Sequence, residues 1–241
     1  MHKVNQTSGI SFLLLGFQNS QIINEFLFVP FLWIYILTLF GNLLIIILVI
    51  TVSALRSPMY ALLSQLSLAD VLLSTSITPN FLRLLLNGGG TISATGCITQ
   101  LYVYGVSGAS EFYLLTAMAY DRYLAICSPL HYASIMGFRL CLYMSLCSWG
   151  LAIILSMTIT LLISNFQFCG PFVIDHYFCD FSPLFELLCT GNEVYMVPSK
   201  GHHFNINKIL SLLYTVGTPF FNPVVYSLRN KDIKVVLLKH M

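Results

Sequence analysis

The chain contains five long apolar stretches, each long enough to cross a membrane as a helix. They cover residues 26–51, 57–82, 95–120, 140–164 and 209–228. A helix rises about 1.5 Å per residue and therefore needs about 20 apolar residues to cross the hydrocarbon core of a bilayer. The second stretch contains one charged residue, Asp70, the third contains one, Glu111, and the other three contain none. The pattern predicts an all-α, polytopic membrane helix bundle with five spans.

Charged residues between the spans indicate which ends face the cytoplasm. Segment 165–208 is polar, carries four acidic residues and contains no apolar run long enough to cross a bilayer. Basic residues are concentrated on the cytoplasmic side of membrane proteins. Seven of the basic residues lie on one side, at Arg56, Arg122, Arg139, Arg229, Lys231, Lys234 and Lys239, whereas Arg83 is an exception and Lys200 and Lys208 fall in the acidic loop. We therefore expect the tail 1–25 and the loop 165–208 to be extracellular and the tail 229–241 to be cytoplasmic.

The composition excludes an ordinary soluble domain. The chain is 57% hydrophobic and 8% charged, whereas soluble domains carry about 25% charged residues. The sequence has no cluster of Lys and Arg that could neutralise a phosphate backbone, so nucleic acid is not an expected partner. The first apolar run is too long for the core of a cleavable signal peptide, and we expect it to act as an uncleaved anchor.

Cysteines and a glycosylation sequon mark the predicted extracellular side. Four cysteines fall there, where disulfides form: Cys97, Cys169, Cys179 and Cys189. They permit two disulfides in three connectivities, and spacing alone does not choose among them. The other three are expected to be free thiols: Cys127, Cys141 and Cys147. An Asn-Gln-Thr sequon begins at Asn5 and predicts a glycan on the outer tail.

Two carboxyl groups, Asp70 and Glu111, lie in the middle of apolar helices. An ionised and unpaired carboxylate there would be costly. Three arrangements avoid this cost: both groups are protonated, they share a proton, or they hold a cation. A buried hydrogen-bonded network with Asn42 and Asn222 is the alternative to a cation site.

The third span presents one face on which a ligand site and a signalling residue are aligned. The residues at helical spacing along it are Tyr104, Gly108, Glu111, Leu115, Met118 and Arg122. An aromatic residue beside a small one at the outer end suits a pocket for a small apolar ligand, with simple bundle packing as the alternative. The sequence shows no nucleophile–base arrangement or phosphate-binding loop, and its histidines match no zinc spacing. We therefore expect neither an enzyme nor a metal protein.

Two strings of residues closely resemble a known family. Residues 118–132 read MAYDRYLAICSPLHY, and residues 219–230 read PFFNPVVYSLRN. With Gly41-Asn42, PMY at 58–60, LSLAD at 66–70, CGP at 169–171 and FCD at 178–180, they are similar to motifs of odorant receptors, a branch of the rhodopsin-like G-protein-coupled receptors. The resemblance implies a plasma-membrane receptor that binds a small volatile odorant and activates a stimulatory G protein.

The resemblance also implies roles for individual residues. It places the odorant beside Tyr104, Gly105, Gly108, Ala109 and Phe112. It favours the disulfides Cys97–Cys179 and Cys169–Cys189. It implies a sodium site at Asp70, Glu111 and Asn222 that favours the inactive state, and no other cofactor. The switch toward the G protein would comprise Asp121, Arg122, Tyr123, Asn222, Pro223 and Tyr226, with Asp121 holding Arg122 until activation.

The chain departs from this family in one region. The family has seven spans, and its fifth and sixth helices have no counterpart between about residues 192–193 and 197–200. The loss of two adjacent spans preserves the direction in which the last helix inserts. The alternative function is therefore a truncated, receptor-derived membrane protein that does not signal alone and can be retained in the endoplasmic reticulum. A five-span transporter is disfavoured, because the sequence has no repeat and no continuous polar lining.

Overall fold

The long apolar runs of the sequence form long helices. The computed structural model describes residues 11–17, 20–55, 57–166, 168, 172–187 and 208–229. The described residues form seven helices, which are Gln21–Thr51 (α1), Pro58–Asn87 (α2), Ala94–Cys127 (α3), Pro129–Ile135 (α4), Phe138–Asn165 (α5), Phe181–Glu186 (α6) and 208–229 (α7). A short 3-10 turn, Ser53–Leu55, follows α1, and α7 contains a π-helical turn at Leu213–Gly217. The predicted all-α bundle is confirmed.

Four of the five long helices are apolar and long enough to cross a membrane. These four are α1, α2, α5 and the Lys208–Tyr226 part of α7. The longest helix, α3, carries more polar side chains, among them Gln100, Glu111 and Asp121, and all three are buried. It packs between α2 and α5, so these side chains face other helices. The sequence predicted that α3 also crosses the membrane, which would make five spans in total, and this stays a prediction.

The last helix, α7, packs against the first two helices. Sequential neighbours pack together as α1 with α2 and α2 with α3, α3 then packs against α5, and α7 packs against α1 and α2. One buried apolar cluster lies at the strand-bearing end of the bundle and includes Phe81, Tyr177 and Phe178. A second lies near the Asp-Arg-Tyr end and includes Leu62 and Leu114, with Tyr226 packed against it.

A small sheet that the sequence did not predict covers the first of these ends. Its strands are Ser11–Leu14 (β1), Gly90–Ser93 (β2) and Val173–Ile174 (β3), in the order β2-β1-β3. β1 is antiparallel to β2, with Ser11 opposite Ser93, and parallel to β3, with Leu14 opposite Ile174. Alternate residues of β1 are buried, so the strand adds apolar surface to the bundle core.

The α2 helix extends beyond its predicted end at residue 82. The additional turn contains Arg83. Its side chain is hydrogen-bonded, because Nη2 donates to Oδ1 of Asn80 and to the carbonyl oxygen of Thr91, both at 2.9 Å. The helix ends at Asn87, and the capping residue that follows, Gly88, has a φ of 66° in the left-handed region that favours glycine. Gly89, with φ of 139°, then turns the chain into β2.

Candidate functional site

The outer end of α3 faces aromatic side chains from two other segments. The ring of Tyr104 packs edge-on against Phe178, with ring centroids 5.1 Å apart. One turn further along, Gly108 lies against α7, and a Cβ at this position would be 2.8 Å from the hydroxyl oxygen of Tyr214. The missing side chain at Gly108 therefore lets Tyr214 approach the α3 backbone. Two of the predicted ligand neighbours thus each have an aromatic side chain beside them. Phe178 lies beside Tyr104, and Tyr214 lies beside Gly108.

Of the other three predicted ligand neighbours, Gly105 and Phe112 face elsewhere. Gly105 lies against α5, where a Cβ would be 3.0 Å from Oγ of Ser156. Ala109 is half-buried. The ring of Phe112 is 69% exposed and packs edge-on against Tyr113. In a membrane Phe112 therefore meets lipid or a further helix rather than the space between α3 and α7. The ligand role of all five residues stays a prediction.

The two intramembrane carboxyl groups meet a polar side chain from α7. Nδ2 of Asn222 donates to both carboxylate oxygens of Asp70, at 3.1 Å each. The hydroxyl of Tyr214 donates to Oε2 of Glu111 at a long 3.5 Å. Both groups are almost fully buried, and protonation of both, a shared proton or a bound cation would each avoid two buried negative charges.

The oxygen atoms of this polar cluster suit a hard cation. Oε1 of Glu111 is buried without a hydrogen-bond partner among the described residues. The hydroxyl of Ser74, one helical turn from Asp70, is likewise unpartnered within that part of the chain. Carboxylate and hydroxyl oxygens are the ligands that hard cations prefer. The residues therefore fit a sodium ion, although the described ranges contain no group of three or more His, Cys, Asp or Glu residues placed to hold a metal.

Two close contacts hold α7 against α1. Nδ2 of Asn42 donates to the carbonyl oxygens of Thr38 and Pro219, at 3.0 Å each. One residue earlier, a Cβ on Gly41 would be 3.2 Å from Cβ and Cγ of Pro223. The Gly41-Asn42 signature and the predicted Pro223 hinge are therefore parts of one interface.

The Asp-Arg-Tyr segment has partners that the family resemblance did not imply. Oδ1 of the buried Asp121 accepts a hydrogen bond from the Tyr132 hydroxyl at 2.8 Å. The exposed Arg122 places Nη2 2.6 Å from Sδ of Met59. The described residues contain one ion pair, Lys208–Asp175, so Asp121 and Arg122 form no ion pair in this structure, and their switch role stays a prediction.

Tyr132 takes the place that the resemblance gave to Arg122. Burial, followed by the hydrogen bond to Asp121, raises the pKa of Tyr132 to about 12. The hydroxyl therefore keeps its proton at neutral pH and remains a donor to the carboxylate. Of the other predicted switch residues, Tyr123 is exposed and Tyr226 is half-buried.

A lysine anchors the first turn of α7 to the loop that covers the bundle. Nζ of the buried Lys208 lies 2.5 Å from Oδ1 of Asp175 and donates to the carbonyl oxygen of Gly16 at 3.1 Å. The neighbouring His176 ring packs against Tyr177 and Phe178, with centroids 4.6 and 4.7 Å apart. Burial and the charge of Lys208 lower the pKa of His176 to about 3, so this imidazole is neutral at physiological pH.

The predicted cysteine pairing is confirmed where the structure describes it. Cys97, in the first turn of α3, forms a disulfide with Cys179. Three free thiols were expected and are observed at Cys127, Cys141 and Cys147. Three other predicted positions lie outside the described residues, namely Cys169, Cys189 and the sequon residue Asn5.

Comparison with known proteins identifies the family. Residues 41–199 match the family model of the seven-transmembrane receptors of the rhodopsin family. The chain is 32% identical to human olfactory receptor 4K2 over 296 residues, covering 98% of this chain and 94% of that receptor. It is 32% identical to mouse olfactory receptor 4E2, with 100% and 98% covered, and 36% identical to human olfactory receptor 11L1, with 100% and 95% covered.

The chain belongs to the olfactory receptor family of rhodopsin-like G-protein-coupled receptors. It is therefore an odorant-sensing, multi-pass membrane protein and not an enzyme. The two motif strings at 118–132 and 219–230 identified the correct branch from the sequence.

Several contacts of this olfactory receptor were not predicted from its sequence. Tyr214 precedes Asn222 by eight residues, which on a regular helix at about 100° per residue leaves their side chains about 80° apart around the helix axis. The π-helical turn at Leu213–Gly217 holds about one additional residue and so brings Tyr214 back toward the Asn222 face. Sequence periodicity carried no signal for this turn. Tyr132 did lie within the family string, but no role was assigned to it.

Proposed function

We propose that this receptor binds a small apolar odorant at the outer end of α3 and signals through a stimulatory G protein. One observation carries the proposal: Tyr214 contacts Gly108 and Glu111 together. A ligand that settles against Gly108 would displace the Tyr214 hydroxyl. Because Tyr214 lies on the helix that bears Asn222, this displacement would reach the contact between Asn222 and Asp70.

The sodium site is proposed as the regulator of this same connection. Asp70, Glu111 and Asn222 would hold the ion, which would neutralise the buried carboxylates and favour the inactive arrangement. Titration of Na⁺ against the odorant response tests this, with constant osmolarity maintained by choline. We expect a lower response at high Na⁺ in the unmodified receptor and no dependence in Asp70→Asn. An equal dependence in both would contradict the sodium proposal.

The exposed face around Arg122 is the proposed G-protein contact. Its guanidinium is exposed and forms no ion pair with a carboxylate among the described residues, so it is free to contact a partner protein. We expect the N-terminus to be extracellular, with a glycan on Asn5, and the Arg122 end to face the cytoplasm at the plasma membrane. Glycosidase treatment should shift the mobility of the wild-type chain and leave Asn5→Gln unchanged.

Reporter cells test the ligand and the G protein in one experiment. The full chain is expressed with a cyclic-AMP reporter and an odorant panel, in parent cells and in cells that lack stimulatory Gα subunits. We expect a response in the parent cells alone. Gly108→Leu should lower odorant potency at least tenfold, whereas Gly150→Leu, at a helix position where an added Cβ would meet no other side chain or segment, should not. Equal potencies would contradict the Gly108 site.

A second candidate function is supported by the length of the alignments. The match to human olfactory receptor 4K2 extends over 296 residues, while this chain has 241, so at least 55 aligned positions have no residue here. The exposed Phe112 on α3 is consistent with a missing neighbour. The alternative is therefore a receptor-derived membrane protein that lacks helices five and six and does not signal alone.

A chimera separates the two candidates. The helix-five-to-six segment of human olfactory receptor 4K2 is inserted between residues 192 and 198, and surface staining is measured beside the reporter response. The second candidate predicts a response from the chimera and none from the unmodified chain at equal surface level. A ligand-dependent response from the unmodified chain, without another receptor present, would exclude it.

A further inference from the structure

The hydroxyl of Tyr177 reaches α7 from the loop that covers the bundle. It lies 3.1 Å from Oγ1 of Thr215, and both residues are fully buried. The Thr215 hydroxyl has a single proton, which it donates to the carbonyl oxygen of Ser211 at 2.8 Å. Tyr177 is therefore the donor and Thr215 the acceptor of a hydrogen bond that joins the loop to α7.

Thr215 lies in the π-helical turn of α7, directly after Tyr214. Here the N–H of Thr218 donates to the carbonyl oxygen of Leu213, five residues earlier. In a regular helix residue 219 would donate to the Thr215 carbonyl, but Pro219 has no N–H and its ring crowds this position. Because the backbone lacks this hydrogen bond, a side-chain contact at Thr215 can decide how the turn is rotated.

The residues around Tyr177 are fixed to α2 and α3. Cys179, two residues further on, is disulfide-bonded to Cys97 at the start of α3. Its N–H also donates to Oε1 of Gln100 on α3 at 3.0 Å. The Tyr177 ring packs against Phe81 of α2, with ring centroids 5.0 Å apart. Tyr177 therefore presents its hydroxyl from a position that does not depend on how the α7 turn is rotated.

We propose that Tyr177 is a positioning residue of the ligand site, whose hydrogen bond to Thr215 holds Tyr214 over Gly108. This role rests on the proposed odorant site, in which the ligand displaces the Tyr214 hydroxyl. Without the hydrogen bond the turn can rotate, and Tyr214 leaves Gly108 for part of the time. The odorant then competes with a less populated resting arrangement, so its apparent affinity rises. A purely structural contact predicts the opposite, because its loss lowers the folded fraction and the response.

A fluorine probe on Tyr214 tests this positioning without any odorant. A fluorinated tyrosine is incorporated at position 214 of the full chain, and the fluorine NMR spectrum is recorded in detergent micelles. Tyr177→Phe keeps the ring and removes the donor, whereas Thr215→Val removes the acceptor. We expect the resonance to move in both variants, and the double variant to move no further, because either change breaks the same hydrogen bond. An unmoved resonance in both single variants would overturn the proposal.

Two matched variants on α5 control for the loss of a hydroxyl alone. The hydroxyl of Thr158 donates to the carbonyl oxygen of Ile154, four residues earlier, at 2.8 Å. Thr158→Val therefore removes the same kind of intrahelical hydrogen bond that Thr215→Val removes. Tyr143→Phe removes the hydroxyl of a tyrosine that is 66% exposed. We expect the wild-type resonance in both controls, and a shift as large as that of Tyr177→Phe in either of them would overturn the proposal.

The cyclic-AMP reporter supplies a second readout, with the odorants of the panel as probes and surface levels matched. We expect Tyr177→Phe and Thr215→Val to raise odorant potency about threefold or more, and both controls to keep the wild-type potency.

The two readouts separate failure of this role from failure of the proposed function. If no odorant of the panel evokes a response, the proposed function fails, and the fluorine spectrum still decides the role of Tyr177. Should Tyr177→Phe fail to fold, Thr215→Val and its control Thr158→Val carry both measurements. Potency that is unchanged or lowered in the variants, beside a response that Gly108→Leu weakens, would overturn the proposal.

Discussion

The side-chain amide of Asn42 donates to the carbonyl oxygen of Pro219 at 3.0 Å. This carbonyl is the acceptor that residue 223 would satisfy in a regular helix, and proline at 223 has no N–H to offer. Asn42 on α1 thus supplies the donor that Pro223 removes from α7. The proline in the last helix is therefore accommodated by a side chain from the first.

Asn42→Leu should destabilise the receptor by about 1–3 kcal/mol, because it leaves the Pro219 carbonyl buried without a donor. Pro223→Ala restores a backbone N–H at the required position. The double variant should therefore lose less stability than the sum of the two single variants. Thermal unfolding of the wild type, the two single variants and the double variant in detergent gives a double-mutant cycle. Losses of stability that simply add would contradict the proposed exchange of donors.

Gly41→Leu should lower the stability of the α1–α7 interface by about 1–3 kcal/mol, the usual cost of overpacking. Its Cβ would be 3.2 Å from the Pro223 ring, and the remaining leucine atoms need still more room. Gly150→Leu is the matched control, since a Cβ built there has no side chain or other segment within 4 Å beyond its own stretch of helix. Equal melting temperatures for the two variants would show that the space between Gly41 and Pro223 does not limit the size of residue 41.

Loss of the Cys97–Cys179 disulfide should destabilise the strand-bearing end of the bundle by about 2–5 kcal/mol, because the bond closes a long loop of the unfolded chain. The two cysteines are 82 residues apart. Cys97→Ser, Cys179→Ser and the double variant should lose similar amounts, and the exposed free thiol Cys127→Ser should lose none. Surface staining and thermal unfolding measure both effects. A stable double variant would be contrary to this expectation.

Acid should destabilise the loop that covers the bundle through His176. Its folded-state pKa of about 3 lies below the ordinary value of 6.5, so the unfolded chain binds the proton more readily. The stability from neutral His176 is complete above pH 6.5 and falls as the pH decreases from 6.5 toward 3. Between pH 7.5 and 5 the loss should reach about 2 kcal/mol.

Histidine variants identify the residue responsible for this pH dependence. His176→Phe keeps an aromatic ring beside Tyr177 and Phe178 and should reduce the difference between melting temperatures at pH 7.5 and pH 5. The control, His131→Phe, changes an exposed residue of α4 and should retain the full difference. Equal pH dependence in both variants would assign the acid sensitivity to other groups.

Much of the helix bundle could be predicted from the sequence, because a membrane span is encoded locally by about 20 successive apolar residues. Predicted helix ends were less accurate. Arg83 suggested an end to α2, yet hydrogen bonds to Asn80 and Thr91 carry the helix on to Asn87. The small sheet was not predicted, since strands of two to four residues from distant segments have no local signature stronger than that of a loop.

Within the candidate site, the sequence selected residue types correctly but not all of their partners. Asp70 and Asn222 were expected together and are hydrogen-bonded. Asp121 was expected to pair with Arg122 and instead accepts a hydrogen bond from Tyr132. Neighbours on one helix are easily proposed as partners, whereas a residue eleven positions away becomes a partner through the turn between α3 and α4.

The sequence by itself determined the membrane helices, the family and the polar positions within the apolar spans, because these depend on composition and short strings of residues. The tertiary structure alone decided the partners of those positions. Asn42 reaches Pro219, and the π-helical turn brings Tyr214 against Gly108. Hydrogen bonds and close packing act over a few ångströms, so they are decided by how the helices cross and where their turns rotate.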